Sequence, residues 1–577
     1  MIGTKKYLGW HLAIILISAA LFIPFLGAVH LFDWDEINFA ECAREMIVTH
    51  NYSQVQINFQ PFWEKPPLFI WLQVLSMKMF GVNDFAARFP DAVCGIITLN
   101  VIYYLGKKYN NHTFGLLWTI CYGTSFLPFL YFKSGIIDPW FNLFIFLSIC
   151  FILQWFHNSH SKKISQSAIY AGLFAGLAIL TKGPVALLII GLTFLVAWTR
   201  LRFNPFSNLK NVLLFITVFL VSGLSWFIFE IAIGNMAILK EFIDYQIRLL
   251  NTHDSGHEGF RLYHFVVLLI GCFPASIFFI PSHIKNPSDT PFQKYVKQWM
   301  LILFWVVLII FTIVNTKIVH YSSMCYFPLT YLAAYKLHDI IYSRKKLNTL
   351  VFSLGLFLIV VLGIVFTAAG LINYFIPVIT NSNLINDKFA VASLQTPVKW
   401  FGFEWIIGVL FLIFSIYFFF NLHKNKKNMY GLFVTSLLTI WLITLLIVPK
   451  IEPYSQGPAI EFYESLKGKD VYVETIGFKS YAYMFYTDRQ PSHNTADMVT
   501  FVKSEKEKAS KTGGEDYDFG LYSLNWMLWK KDLDKPAFFA AKITDVDDIK
   551  KEHPDLIELY RKGGFVFYKR LPLPNNH

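Results

Sequence analysis

Two short clusters of charged and aromatic residues carry the densest polar chemistry near the start of this chain. Asp33-Trp34-Asp35-Glu36 is the first, and Pro61-Phe62-Trp63-Glu64-Lys65-Pro66-Pro67 is the second. Neighbouring carboxylates can act as a general base toward a hydroxyl, or cap a helix and face water; residue types alone leave both readings open at 33, 35 and 36. Glu64 and Lys65 point more firmly to function. Pro66 and Pro67 remove backbone donors and bias Lys65 away from helix, which wedges a charged pair into an extended turn among aromatics. Charges held close to a bilayer need partners.

More ionisable groups recur downstream. Lys133 and Asp138 flank a short loop, Lys182 lies in Thr181-Lys182-Gly183-Pro184, and Lys317, His320 and Tyr321 share another short turn. The stretch 231–262 adds Glu241, Asp244, Arg248, His253, Asp254, His257, Glu258 and Arg261. A lone lysine in such a place snorkels to the interface. Gathered on one face, these cations make a site for an anionic headgroup, because ammonium and guanidinium groups are natural phosphate partners. The histidines and carboxylates have the donor types to hold a divalent ion on that phosphate.

The elements that must position these residues are membrane helices. Of 577 residues, 55% are hydrophobic, 18% aromatic and 15% charged, with mean hydropathy +0.46; a soluble enzyme would carry roughly a quarter charged residues. Hydrocarbon about 30 Å thick needs on the order of twenty apolar residues at helical rise. Runs of that kind fall at 10–30, 86–106, 113–131, 137–156, 167–182, 184–198, 211–230, 262–281, 298–315, 318–335, 349–370, 402–421 and 430–448. They predict an α-helical polytopic membrane protein of about thirteen transmembrane helices. The fifth and sixth are separated only by Lys182-Gly183-Pro184.

Basic residues gather in alternate loops: Lys5 and Lys6; Lys107 and Lys108; Lys162 and Lys163; Arg200, Arg202 and Lys210; Lys285, Lys294 and Lys297; Lys336, Arg344, Lys345 and Lys346; Lys424, Lys426 and Lys427. With the positive side cytoplasmic, the N-terminus is predicted inside and the tail from about 450 outside. The net charge of +12 and pI near 9.1 then reflect membrane orientation, not nucleic-acid binding. The first span is expected to be kept, since Ile23, Pro24 and Phe25 stand where a cleaved signal would have small residues. The six cysteines show no CxxC or paired spacing, so neither a zinc motif nor a disulfide framework is expected.

This arrangement places the first external loop, 31–85, and the loop 231–262 on the tail's side of a catalytic membrane domain, 1–450. Within the first loop, Ile37–Thr49 reads as a helix lying along the membrane surface, and Leu68–Phe80 as an amphipathic apolar run. The tail, 451–577, reads as a small C-terminal α/β domain held by its own core. Its strand candidates are Val471–Val473 and Phe565–Tyr568, with a helix over Ala459–Leu466. The charge run Lys503, Glu505, Lys506, Glu507 and Lys508 reads as a solvated helix face.

The order Asp35-Glu36, Ala40-Glu41, Ala43-Arg44-Glu45-Met46, then Phe62-Trp63-Glu64-Lys65-Pro66-Pro67-Leu68 and Phe80 to Pro90 with Phe85-Ala86-Ala87-Arg88 resembles the lipid A aminoarabinosyltransferase family. It also resembles the related bacterial protein mannosyltransferases of the GT-C class. The likeness continues through Asp138-Pro139, Leu180 to Pro184, Lys317, His320-Tyr321 and Pro328, and hardly touches the tail. It implies a GT-C fold and a periplasmic transferase in the bacterial inner membrane, taking a sugar from a polyprenyl phosphate for a lipid A-type or other acceptor, lipid or protein. No nucleotide cofactor is expected.

The resemblance further implies roles. Asp35 is the catalytic acid, with Glu36 beside it. Glu64 helps bind a divalent metal ion, zinc or another, with a loop histidine, His257 or in its place His253. Lys65, Lys182, Arg261, Lys317 and Tyr321 contact the donor phosphate, and Asp138 and Arg88 position substrate. One departure stands out, because many members have Arg three residues beyond the catalytic Asp, where this chain has Asn38. Single displacement by such a site predicts inversion at the sugar carbon. A protein O-mannosyltransferase is the nearest alternative. A flippase for lipid-linked sugars would instead need mid-membrane ionisable residues and a repeat, and neither is visible. An inactive scaffold of the same fold is opposed by the intact acidic and basic motifs.

Overall fold

The computed structural model describes residues 2–33, 35–62, 64–158, 164–200, 208–251, 259–280, 289–343, 347–382, 385–511, 519–530 and 532–572. The first apolar run forms α1 (Ile2–Phe22). It ends at Phe22, not near residue 30 as expected, because Pro24 follows and cannot continue the hydrogen-bond ladder. Next come α2 (Asp35–Thr49), the hairpin strands β1 (Gln56–Ile57) and β2 (Gln60–Pro61), and α3 (Leu68–Phe80). The membrane portion continues with α4 (Asp84–Tyr109), α5 (His112–Gly123), α6 (Phe126–Tyr131), α7 (Asp138–His157), α8 (Gln166–Lys182), α9 (Val185–Arg200) and α10 (Leu209–Ala232).

After these follow α11 (Met236–Asn251), α12 (Tyr263–Gly271), α13 (Ala275–Phe279), α14 (Pro291–Ile313), a 3-10 turn Val319–Cys325, and α15 (Tyr326–Ser343). The remaining helices before the tail are α16 (Thr349–Gly370), α17 (Ile372–Asn381), α18 (Lys388–Leu394), α19 (Ile406–Phe420) and α20 (Lys426–Leu446). Every segment read as a span contains helix, in whole or in part, among the described residues. Among the described residues, six helices are long and apolar enough to cross a membrane, judged by length and composition only.

Two expected spans are broken. The run 113–131 divides at Thr124-Ser125 into α5 and α6, and 262–281 divides at Cys272 to Pro274 into α12 and α13. A broken helix exposes carbonyls that hydrocarbon cannot satisfy. Ser125 resolves this by donating its hydroxyl to Cys121 O at 2.6 Å and to Cys272 O at 3.2 Å, so one side chain serves both breaks. Elsewhere α8 packs on α10 almost backbone to backbone; a Cβ on Gly176 would lie 2.7 Å from Gly223 N. Small residues permit that approach between membrane helices.

The tail comprises α21 (Val448–Ile451), α22 (Gly457–Ser465), β3 (Tyr472–Ile476), α23 (Ala482–Thr487), α24 (Ala496–Lys511), α25 (Phe519–Trp529), β4 (Ala537–Lys542), α26 (Val546–Glu552), β5 (Ile557–Lys562) and β6 (Phe565–Arg570). Its sheet has the order β3-β4-β6-β5. β3 and β4 are parallel with Tyr472 opposite Ala537, and β6 runs antiparallel to both β4 and β5. Lys508 pairs with Glu505 at 2.7 Å on the solvated part of α24. All six cysteines are free and buried.

Side chains alternate across a strand, and the two faces of this sheet meet different partners. Tyr472, Phe539, Val566 and Tyr568 face Met498, Trp526 and Met527. Val473, Ala540, Phe565 and Phe567 face Phe462 and Tyr463, in one continuous cluster with Ile37, Ala40, Met46, Val55 and Ile70 of the first loop. The tail therefore shares its apolar core with that loop and does not hold together by a core of its own alone. α2 changes character as a result. Expected along the membrane surface, it is buried along most of its length, with Glu41, Arg44 and Glu45 all at 1% exposure or less.

Candidate active site

The buried Glu41 and Arg44 of α2 are paired with each other. Arg44 donates to both oxygens of Glu41 at 2.6 and 2.7 Å and to Asp488 of the tail at 3.1 Å. Glu45 accepts from Phe59 N at 2.8 Å, and burial together with the charge of Glu41 holds its carboxyl well above the usual carboxylate range.

Glu36 and Arg88 form a second buried lock. Arg88 donates to Glu36 Oε2 at 2.7 Å and Oε1 at 3.1 Å. Its remaining hydrogens go to the carbonyls of Leu26, Val29 and His30. Glu36 also accepts from Phe32 N at 2.8 Å and Gly135 N at 2.6 Å. Both carboxylate oxygens are thus committed. Glu36, expected beside the catalytic acid, and Arg88, expected to position substrate, here bond each other and hold the start of α2 against α4.

Asp35, the first residue of α2, has the opposite environment. Its side chain is 47% exposed, and Oδ2 lies 3.7 Å from His320 Nε2. His320 comes from the 3-10 turn, and the charges of Asp138, Lys182, Asp35 and Lys65 all act on its ring. Lys182 closes α8, and Asp138 opens α7, where each suits the helix dipole. Their side chains meet at 2.7 Å. The Lys182 ammonium also sits 5.7 Å from the ring centres of Phe141 and Tyr321. Lys65 lies 3.7 Å from Glu64, in the turn before α3. Tyr131, at the end of α6, feels the charges of Asp138 and Asp35.

Asp35, Lys65, Asp138, Lys182, His320 and Tyr321 are therefore brought to one place by five separate segments. Asp138 is held by a lysine, an arrangement that orients Lys182 before any substrate arrives. Lys317 is not part of this group. It is 7% exposed and donates to the carbonyls of Phe311, Thr312 and Val314 at 2.9, 2.9 and 2.5 Å, so in this structure it caps the end of α14, apart from the expected phosphate contacts. Lys133 does the same for α1, donating to Phe22 O and Pro24 O at 3.2 and 2.7 Å. Arg261 is exposed in the turn before α12.

His253 and His257 lie outside the described residues. Among the described residues, no three His, Cys, Asp or Glu side chains converge to hold a metal ion, so Glu64 is the one expected ligand whose position is known. The side-chain oxygen of Asn38, one turn beyond Asp35, is buried without a described partner. The sequence named His320 only as part of a turn. Its opposition to Asp35 and the approach of Tyr131 need the fold, although the adjacency of His320 to Tyr321 was a signal for the first.

Residues 64–226 match the family described as dolichyl-phosphate-mannose-protein mannosyltransferase. An undecaprenyl phosphate-alpha-4-amino-4-deoxy-L-arabinose arabinosyl transferase from Shewanella sediminis is 26% identical over 340 residues, covering 56% of this chain and 59% of that protein. The equivalent protein of Wigglesworthia glossinidia brevipalpis is 26% identical over 320 residues, covering 54% and 56%. The aligned part thus spans less than two thirds of the length of these curated relatives. The crystal structure of ArnT from Cupriavidus metallidurans bound to undecaprenyl phosphate superposes with a TM-score of 0.72 at 17% identity, covering 97% of this chain and 98% of that one. Fold and motifs agree: this chain is a multi-pass membrane protein of the GT-C fold, similar to the aminoarabinosyltransferases that act with undecaprenyl phosphate.

Proposed function

We propose that this protein is a glycosyltransferase of the bacterial inner membrane that moves a sugar from a polyprenyl phosphate to a lipid A-type acceptor. A 4-amino-4-deoxy-L-arabinose carried on undecaprenyl phosphate is the donor named for its relatives and the first to test. In this reading the N-terminus is cytoplasmic, and the first loop and tail face the periplasm. The observation that carries it is the half-exposed carboxylate of Asp35, 3.7 Å from His320, beside the pre-oriented Lys182–Asp138 pair.

Displacing a phosphate from an anomeric carbon forms a bond from the acceptor oxygen and breaks the bond to the phosphate oxygen. The departing electron pair stays on the polyprenyl phosphate. Lys65, Lys182 and Arg261 supply cations for that charge. Asp35 accepts the proton of an acceptor hydroxyl, while His320 holds the carboxylate in place. An acceptor phosphate is already ionised, and Asp35 then positions it or balances charge. Attack from the face opposite the leaving group inverts the sugar carbon. A divalent ion, zinc or another, bound by Glu64 with His257 or His253 stays part of the proposal and would add positive charge beside the phosphate.

The test is transfer of labelled sugar in membranes carrying Asp35→Asn or Glu64→Gln. Loss of about a hundredfold or more is expected for Asp35→Asn; undiminished transfer by both variants would sink the reading. The match of residues 64–226 to protein mannosyltransferases favours one alternative, a protein acceptor. Comparing lipid A and glycoprotein masses from cells with and without the protein separates the two.

A further inference from the structure

We propose that the C-terminal tail is a working part of the active site, and that Gln456 is a positioning residue for Asp35. This rests on the reading of Asp35 given above. Residues 30–33, just upstream of Asp35, lie outside helix and sheet, so no regular element fixes their backbone. Tail residues fix it instead. Gln456 grips both sides of the strip: its amide nitrogen donates to Leu31 O at 2.8 Å, and its amide oxygen accepts from Asp33 N at 3.1 Å. The Tyr486 hydroxyl accepts from Leu31 N at 2.8 Å and donates to Asp84 at 2.6 Å. Glu452 accepts from His30 N at 3.2 Å.

On its other side the same strip meets the buried Glu36–Arg88 lock. These two grips flank Asp35 in the chain, bonding the backbone at 31 and 33 on one side and the Glu36 side chain on the other. The apolar cluster shared by β6, α22 and α2 keeps the tail rigid against the loop it holds. A reacting carboxylate displaced by about 1 Å can lose on the order of a hundredfold in rate, and among the described residues Gln456 is the one side chain that bonds the backbone at both 31 and 33. A module serving only to dock an acceptor would not need to bond the backbone two residues from the catalytic acid.

The experiment uses the full-length protein in proteoliposomes, with undecaprenyl-phosphate-linked aminoarabinose as donor and lipid A as acceptor. Gln456→Met keeps side-chain bulk and removes both hydrogen bonds. It is expected to lower kcat about tenfold to a hundredfold and leave KM for the donor lipid within about twofold, a split that a general loss of stability would not produce. Tyr486→Phe is expected to lose less, because Asp84 still accepts from Leu31 N at 3.1 Å; it also carries the test should Gln456→Met fail to fold. Parent-like kcat in Gln456→Met, or in Tyr486→Phe where that variant stands alone, with Asp35→Asn inactive, overturns the proposal and leaves the reading of Asp35 intact. Parent-like kcat in Asp35→Asn overturns that reading, and the clamp loses its purpose with it.

Discussion

Lys182 and Asp138 meet at 2.7 Å where α8 ends and the neighbouring α7 begins, with the carboxylate 4% and the lysine 16% exposed. In the proposed reaction a donor phosphate would meet Lys182 already paired with Asp138 and would share the ammonium with that carboxylate. The pair fixes where the ammonium points, which is the use of such a bond in a site that must be ready before substrate enters.

Removing one partner of a buried pair leaves an uncompensated charge, at a cost of about 3–5 kcal/mol. Asp138→Asn and Lys182→Met should each lower the unfolding midpoint, and the double variant should lose less than the sum. A thermal-unfolding double-mutant cycle in detergent reads this directly. Strict additivity would show that the two groups are not coupled.

Arg88→Met should be a folding lesion. Glu36, 4% exposed, would be left buried with its main partner gone, again at about 3–5 kcal/mol, and membrane yield should fall sharply. Asp35→Asn, at an open site, should express at the parent level with transfer abolished. Fluorescence-detected size exclusion of both variants separates scaffold from chemistry.

Lys317→Met distinguishes a capping lysine from a phosphate ligand. Each buried carbonyl left without a donor costs about 1–3 kcal/mol, so the midpoint should drop while KM for the donor lipid stays unchanged in the protein that remains folded. A raised KM with normal stability would restore the phosphate role.

The tail's grip should depend on pH through His30. Burial lowers the affinity of its ring for a proton, but the hydrogen bond to Glu452 at 2.7 Å and the charges of Glu452, Asp84 and Glu464 outweigh it and raise the pKa above the ordinary 6.5. A group raised on folding contributes its full stability below its unfolded pKa and loses it as pH rises through the folded one. Limited proteolysis between the membrane portion and the tail should therefore quicken as pH rises past the ordinary histidine pKa and through the raised one. In His30→Gln that pH dependence should flatten.

Much of this protein was legible in its sequence. Apolar runs such as 349–370 and 211–230 became α16 and α10, because bilayer thickness and helical rise act on contiguous residues. Leu68–Phe80 matched its expected bounds as α3, since Pro66-Pro67 before it and Gly81 after it, at φ +80°, are local stops. The short turns and the Glu64-Lys65 pair were likewise readable from neighbours in the chain.

What the sequence alone could not decide was the partner of each charge. Lys182, Lys317 and Lys133 look alike as lysines at the outer ends of apolar runs, yet one orients on a carboxylate and two cap helices. Glu36 and Asp35 are adjacent, yet one is locked to Arg88 and the other faces His320. In a low-dielectric interior a charge's role is set by whatever lies within a few ångströms, and those neighbours lie tens or hundreds of residues away in sequence. The burial of α2 has the same origin: its charged face reads as solvated until the tail, more than four hundred residues later, folds over it and places Asp488 on Arg44.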